Sequence, residues 1–265
     1  MSLLKKPYVI FILFLIFLAI GGEHLTPNDP FKTNIDKRLT GPSAEYIFGT
    51  DELGRCMLSR LIYSVRISLG LAAVILIISL FTGGLFGLIS GYFGGLIDEI
   101  LMRLTDTIMA IPSFIIAMVL IGALGSGIPN MIFVFAITGW TRYARLTRSL
   151  VFNIKNENYV LTAKLTGLKN FYILLKYIFP GIIRPLIVLG TLGMGMTILM
   201  TSSMSFLGLG ITEPIPDWGA MLNNGTIYIR TAPYLAIFPG ILICLTVLSF
   251  NLLGESLKRD NEWEK

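Results

Sequence analysis

The chain has 265 residues, of which 54% are hydrophobic and only 14% charged, against about 25% charged in an ordinary soluble domain. Its mean hydropathy is +0.75, so several apolar runs must be shielded from water by lipid, and the formal charge of +5 fits basic membrane-flanking loops better than a nucleic-acid surface. Cys56 and Cys244 are too far apart in sequence to suggest a disulfide framework or a zinc site, and His24 is the one histidine.

In chain order, Lys5 and Lys6 precede an apolar run from Tyr8 to Ile20. The run reads as a retained first span whose basic flank sets the N-terminus in the cytoplasm, rather than as a cleaved leader. Residues 23–63 form the longest hydrophilic stretch and are expected outside. From Asp51 onward, Leu53, Met57, Leu58 and Leu61 recur at helical spacing, which predicts a helix lying in the membrane interface. Ile67–Tyr92 is the second span, with Gly83, Gly84, Gly87 and Gly91 toward its end, small residues that let helices approach closely. Gly94 and Gly95 predict a tight turn.

The third helix is expected from Leu96 to Leu124, kinked at Pro112. Near its start, Glu99 can pair with Arg103 and Arg103 with Asp106. Asn130–Trp140 is a short apolar run whose helix is expected to continue into a basic segment. Ile182–Phe206 and Tyr234–Gly254 are the remaining spans, and residues 255–265 form a charged tail. Between Arg142 and Arg184 there are eight basic residues and one acidic residue, Glu157. That excess places the segment, and both termini, in the cytoplasm. The fold class is therefore all-α integral membrane with six transmembrane helices. No internal repeat or low-complexity tract is present.

The segment 141–180 is polar enough to be a docking loop. Arg142, Arg145 and Arg148 recur every third residue along one helical flank, as snorkelling side chains at an interface do. Glu157–Leu165 predicts a short amphipathic helix capped by Gly167, a form suited to a partner's groove. No Gly-x-x-x-x-Gly-Lys-Ser/Thr phosphate loop occurs, and no histidine follows His24 to serve as a base. Met196, Met200 and Met204 lie on one face of a span that also holds Ser202, Ser203 and Ser205. The methionine stripe reads as packing, without the acidic or histidine ligands of a metal site, whereas the serines either line a path or pack helices.

Ala163, Gly167 and Pro180 are spaced as in the pattern Glu-Ala-Ala, three residues, Gly, nine residues, Ile-x-Leu-Pro, from which Leu161, Thr162, Tyr177 and Phe179 depart. Residues 48–55 read Phe-Gly-Thr-Asp-Glu-Leu-Gly-Arg and are followed by Leu58, Ser59 and Arg60. Gly139 and Trp140 precede Tyr143, Ala144, Arg145 and Arg148. Ser-Phe-Leu-Gly-Leu-Gly over 205–210 precedes Pro214, Pro216 and residues 218–222. Together these four stretches resemble the permease subunits of bacterial ABC importers, in particular the second permease of the dipeptide, oligopeptide and nickel group. The first is similar to its cytoplasmic loop signature, Ala163 matching the second alanine. The second is similar to its loop before the second span, Cys56 standing where aspartate is usual. The third matches the start of its cytoplasmic loop, and the fourth its external gate loop.

The resemblance implies a type I ABC importer permease fold, with residues 1–63 as an N-terminal helix and external loop and 64–254 as the transmembrane domain. It implies an ATPase-docking segment carrying Glu157, Tyr159, Leu161, Ala163, Gly167, Leu168 and Pro180, and an external gate with Phe206, Gly208, Gly210 and Trp218. Met196, Met200, Ser202 and Ser203 are candidates for the translocation path. The implied partners are a second permease, one or two ATPase subunits carrying ATP and Mg, and an extracellular binding protein. No catalytic residue, cofactor or metal is expected on this chain, which is then not itself an enzyme. The implied cargo is nickel or related metal ions or chelates, or di- and oligopeptides, with the shortness of the chain leaning toward metal. The reading to be weighed against this is a self-contained channel or ion-driven carrier, which would need ionisable groups deep in its spans. A membrane enzyme and an exporter permease are further rivals.

Overall fold

The computed structural model describes residues 6–262, with the side chains of 260–262 left aside. Lys5 and the last three residues of the expected tail lie outside the described residues. Every long element is a helix: α1 (Pro7–Leu25), α2 (Met57–Phe93), α3 (Gly95–Met109), α4 (Ser113–Leu124), α5 (Ile128–Ile154), α6 (Asn158–Leu165), α7 (Asn170–Ile173), α8 (Phe179–Phe206), α9 (Trp218–Ile227) and α10 (Tyr234–Glu262). A π-helical turn, Leu174–Ile178, joins α7 to α8, so that helix continues from 170 to 206. Four helical stretches are long and apolar enough to cross a membrane: α1, α2, the 170–206 helix and α10. Together α3 and α4 make a fifth if the bent pair counts as one span. In lipid every backbone polar group must be bonded within the segment, which is why the apolar runs become helices.

The structure corrects the sequence expectations at four places. Pro112 lies in an outright break, and α3 and α4 meet at 80°. The helix expected from Asp51 begins only at Met57 and is the first part of α2. Asp51 Oδ1 instead accepts from the backbone N–H of Leu53 at 2.9 Å and of Arg55 at 2.8 Å, a local bond that competes with the helix, and Gly54 takes φ 72°. Arg103 pairs with Glu99 at 2.7 Å but not with Asp106, which meets Arg145 at 2.5 Å. Glu four residues before a basic partner is the favoured helical orientation. Finally, the segment after Gly210 contains a helix, α9, that its mixed composition hides.

The chain forms two compact units. Among the described residues, the first comprises 6–74, 120–132 and 194–253; the second comprises 75–119, 133–193 and 254–262. In the second, α2 lies directly on α5. A Cβ on Gly83 would meet the Trp140 carbonyl oxygen at 2.3 Å, and one on Gly87 the Ala144 carbonyl oxygen at 2.4 Å. Glycine at every fourth residue is what permits this approach. The same interface is closed at one end by Asp98 of α3, which pairs with Arg148 at 2.5 Å and accepts from the Ser90 hydroxyl. Arg145 and Arg148 are thus paired to α3 rather than only reaching for the interface.

In the first unit, Phe48 stacks on Phe238 with ring centroids 4.1 Å apart. Met57, Leu61, Met221, Ala232 and Leu235 form the buried cluster beside them. Tyr234 Oη donates to the carbonyl oxygens of Thr40 and Thr50, each at 3.0 Å. These contacts fasten the long segment between α1 and α2 to the start of α10.

Candidate functional site

The expected docking segment lies in the second unit and is built on an apolar base. Val160 and Ala163 of α6 are buried with Tyr92, Val151, Ile173, Leu174, Ile178 and Ile182. Glu157 sits at the N-cap position, and its carbonyl accepts from the backbone N–H of Val160 and Leu161. Gly167 closes the helix at φ 77°, its N–H donating to the Lys164 carbonyl at 3.1 Å. Apart from Gly167 itself and its chain neighbours, no heavy atom among the described residues would lie within 4 Å of a Cβ there. Tyr159, Leu161 and Leu168 are exposed, as are Phe171 and Leu165, the last at 88%. The helix therefore carries apolar side chains on its outer as well as its inner side, which differs from a simple amphipathic pattern. Pro180 lies in the first turn of α8 and is exposed.

Two polar ties hold this base to the end of α2. Tyr92 Oη donates to Asn170 Oδ1 at 2.8 Å, and Lys155 Nζ donates to the Gly91 carbonyl at 2.7 Å. Lys164 Nζ stands 5.2 Å from the centroid of the Tyr92 ring, within the range of a cation–π contact. The outer apolar side chains have no such attachment. They form an uncovered surface on a fixed support, the arrangement a partner's groove requires.

The expected gate residues lie in the first unit. Trp218 is fully buried, Phe206 is exposed, and Gly208 takes φ 78°. Gly210 packs on Ser205, whose side-chain oxygen would be 2.0 Å from a Cβ. Among the path candidates, Met196 is exposed, Met200 and Ser203 are half-buried, and Ser202 is buried. The Ser202 carbonyl oxygen would lie 2.1 Å from a Cβ on Gly219, so at this point α8 packs against α9. Its hydroxyl finds no hydrogen-bond partner among the described residues. Met196, Met200 and Ser203, at i, i+4 and i+7, share one face of α8, and Ser202 lies on its buried side.

Sequence reasoning missed an ionic cluster in the same unit as the expected gate residues. Arg55 Nε is 2.6 Å from Asp51 Oδ2, and its Nη1 is 2.8 Å from Glu213 Oε2. Arg60 Nη2 is 3.1 Å from Glu213 Oε1. Arg60 Nε is 3.5 Å from Asp51, and its Nη1 donates to the Pro30 carbonyl at 3.3 Å. The arginine side chains are 4% and 2% exposed, that of Glu213 43%. Burial pushes the neighbouring Glu52 carboxyl up from its ordinary value. The available signal was Arg60 itself, a cation in the first turn of an apolar helix with no counter-ion four residues away.

Nearby, Asp217 caps α9. Its Oδ2 accepts from the backbone N–H of Gly219 at 3.1 Å and of Ala220 at 3.3 Å, and its Oδ1 from the Ser68 hydroxyl at 2.8 Å. Burial raises the Asp217 carboxyl above the usual range, against the lowering effect of the hydroxyls of Ser205 and Ser68. Among the described residues, no group of three or more His, Cys, Asp or Glu side chains is arranged to hold a metal ion. Cys56 is buried and Cys244 exposed, both as free thiols.

Residues 83–260 match the family described as binding-protein-dependent transport system inner membrane component. The dipeptide transport system permease protein DppC of Alkalihalophilus pseudofirmus is 39% identical over 92% of this chain and 80% of its own length. The nickel transport system permease protein NikC of Escherichia coli K12 is 36% identical over 94% of this chain and 90% of its own. The glutathione transport system permease protein GsiD of Pectobacterium atrosepticum is 37% identical over 94% and 83%.

Proposed function

The chain belongs to the family of binding-protein-dependent transport system inner membrane components, multi-pass permease subunits of ABC importers, and from that premise we propose how its parts divide the work. It forms half of a translocation path with a second permease in the bacterial cytoplasmic membrane. Six spans are assigned: α1, α2, the bent α3–α4 pair, α5, α8 and α10. Residues 64–254 form the transmembrane domain. Both termini are cytoplasmic, as the basic excess over 142–184 supports.

The segment 157–170 is the docking element for separate ATPase subunits, which carry ATP and Mg. One observation carries this reading: Val160 and Ala163 anchor α6 while Tyr159, Leu161 and Leu165 stay uncovered. Closure of the ATPases pushes α6, and the supporting core under Val160 transmits the displacement into the helices that hold it. That is the physical requirement for coupling, a packed element whose position two sites can bias. On the other membrane face a binding protein delivers cargo to the gate around Phe206, Gly208, Gly210 and Trp218. Met196, Met200, Ser202 and Ser203 belong to the path between. The cargo is nickel or a related metal ion or chelate, or a di- or oligopeptide; the relatives above are named for dipeptide, nickel and glutathione transport.

The test is Gly167→Asp beside deletion of 158–168. At φ 77° a side chain is strained, but it has open space around it, so the substitution alters the docking surface rather than the core. Both variants are expected to insert in the membrane yet lose ATPase co-purification and uptake. Normal import by a deletion strain carrying either variant would overturn the docking reading. Uptake of radiolabelled nickel and of a labelled dipeptide in the same strain assigns the cargo.

A further inference from the structure

We propose that Glu213 pins the segment 207–217 to the start of α2, so that the gate loop and the outer end of this helix move as one body through the transport cycle. The proposal rests on the reading of this loop as part of the external gate. It concerns how that gate moves, and which residue decides it.

Three elements converge on one carboxylate. Arg55, just before α2, reaches Glu213 through Nη1 at 2.8 Å, and Arg60, in its first turn, through Nη2 at 3.1 Å. Asn224 of α9 donates to Glu213 Oε1 at 3.4 Å. Both guanidinium groups are almost wholly buried, and behind them stands Asp51, shared at 2.6 and 3.5 Å. Glu52 adds a weaker contact to Arg55 at 3.3 Å. If the loop lifted alone, two buried cations would be left with Asp51 and the peripheral Glu52. Uncovering a buried ion pair on one side is the costly way to break it, because the remaining charge has no water to turn to. Moving loop and helix start together leaves every one of these bonds intact.

The surroundings agree with a single body. Ser68, farther along α2, donates to Asp217 at 2.8 Å and accepts from the Trp218 N–H at 3.3 Å. Gly225 of α9 would place a Cβ 2.5 Å from the Leu235 carbonyl carbon, so α9 is seated on the start of α10. Glu213, its side chain 43% exposed, is far more open than Arg55, Arg60 and Asp51, which it meets or stands beside. It is therefore the point at which the loop can be released without disturbing the core.

The test uses the complete transporter, with its partner permease, ATPases and binding protein, in nanodiscs. The exposed Cys244 is replaced by serine, and Ile211, buried within the loop, is changed to cysteine as a reporter of lifting. Labelling by a bulky maleimide is timed in the resting complex and with a non-hydrolysable ATP analogue bound. With Glu213 intact the two rates are expected to agree within about twofold, and Glu213→Gln is expected to raise both by about tenfold or more, as for release of a local opening. A rise of that size on nucleotide binding with Glu213 intact overturns the proposal, as does a rate that Glu213→Gln leaves unchanged. Should Ile211→Cys fail to assemble, hydrogen exchange of residues 209–217 in the unsubstituted and Glu213→Gln complexes applies the same two criteria. ATP-driven import by the parent complex is measured in parallel. Its absence refutes the transporter reading, whereas the labelling result refutes only the pin.

Discussion

Asp217 shows how a single buried carboxyl can carry both geometry and pH dependence. It accepts from two backbone N–H groups at the start of α9 and from Ser68, and burial raises its folded-state value. The folded protein therefore holds this proton more tightly than the unfolded chain. The stability this lends is present in full below the unfolded value and is lost as pH rises through the folded one. Asp217→Asn keeps an acceptor for the cap but removes the titration. Thermal melts of the purified chain followed by tryptophan fluorescence, between about pH 4 and pH 7, are expected to fall with rising pH for the parent and to be flatter for Asp217→Asn. Equal slopes would show that Asp217 is not the titrating group.

At the scale of elements, the contact of α2 with α5 makes a sharp distinction between neighbouring glycines. A Cβ on Gly87 meets backbone at 2.4 Å, whereas the nearest atom to one on Gly84 is a Leu186 methyl at 4.0 Å. Backbone cannot yield as a flexible side chain can, so Gly87→Ala is expected to cost about 1–3 kcal/mol and Gly84→Ala to be nearly neutral, measured as detergent-solubilised melting temperature. The sequence announced this glycine run but not which members face a helix, since neighbouring glycines look alike until the partner is known. The same limit explains the other misses. The continuity of α2 from Met57 was masked by Ser59, Arg60, Ser64 and Arg66, whose polarity divides it into an interfacial helix and a span beginning at Ile67. Arg60 is tolerable there because Glu213, more than 150 residues away, answers it, and no local spacing reveals that. By contrast α6 was legible as a helix nearly to the residue, because Gly167 and the turn before it are local features.

For the whole molecule, composition alone required lipid, and the apolar runs found most of the spans. The bent α3–α4 pair counts toward the spans only if taken as one, and α5, half apolar and half basic, does not meet the length and composition criterion. The sidedness of the proposed six-span arrangement can be read directly. Ala44→Cys, in the segment before α2, is expected to react with an impermeant maleimide added outside intact cells. Lys169→Cys, just after α6, is expected to react only after permeabilisation. The reverse pattern would invert the orientation and with it the assignment of gate and dock. Both substitutions are to be made in a Cys244→Ser background, since that thiol is exposed.

The π-helical turn at Leu174–Ile178 is, in effect, spare length. Such a turn holds one residue more than an α-helical turn needs, so the helices on either side keep their own phase around it. Loss of one residue here can be absorbed by tightening the turn. Deleting Leu175 is therefore expected to leave a chain that inserts and melts close to the parent. Deleting Val188 has no such slack to draw on. It rotates the remainder of α8 by about 100° and turns Gly190, which a Cβ would press to 2.9 Å from Leu80, away from its neighbour. A deletion scan along 170–206, scored by yield of folded protein, should show its one tolerant window at 174–178.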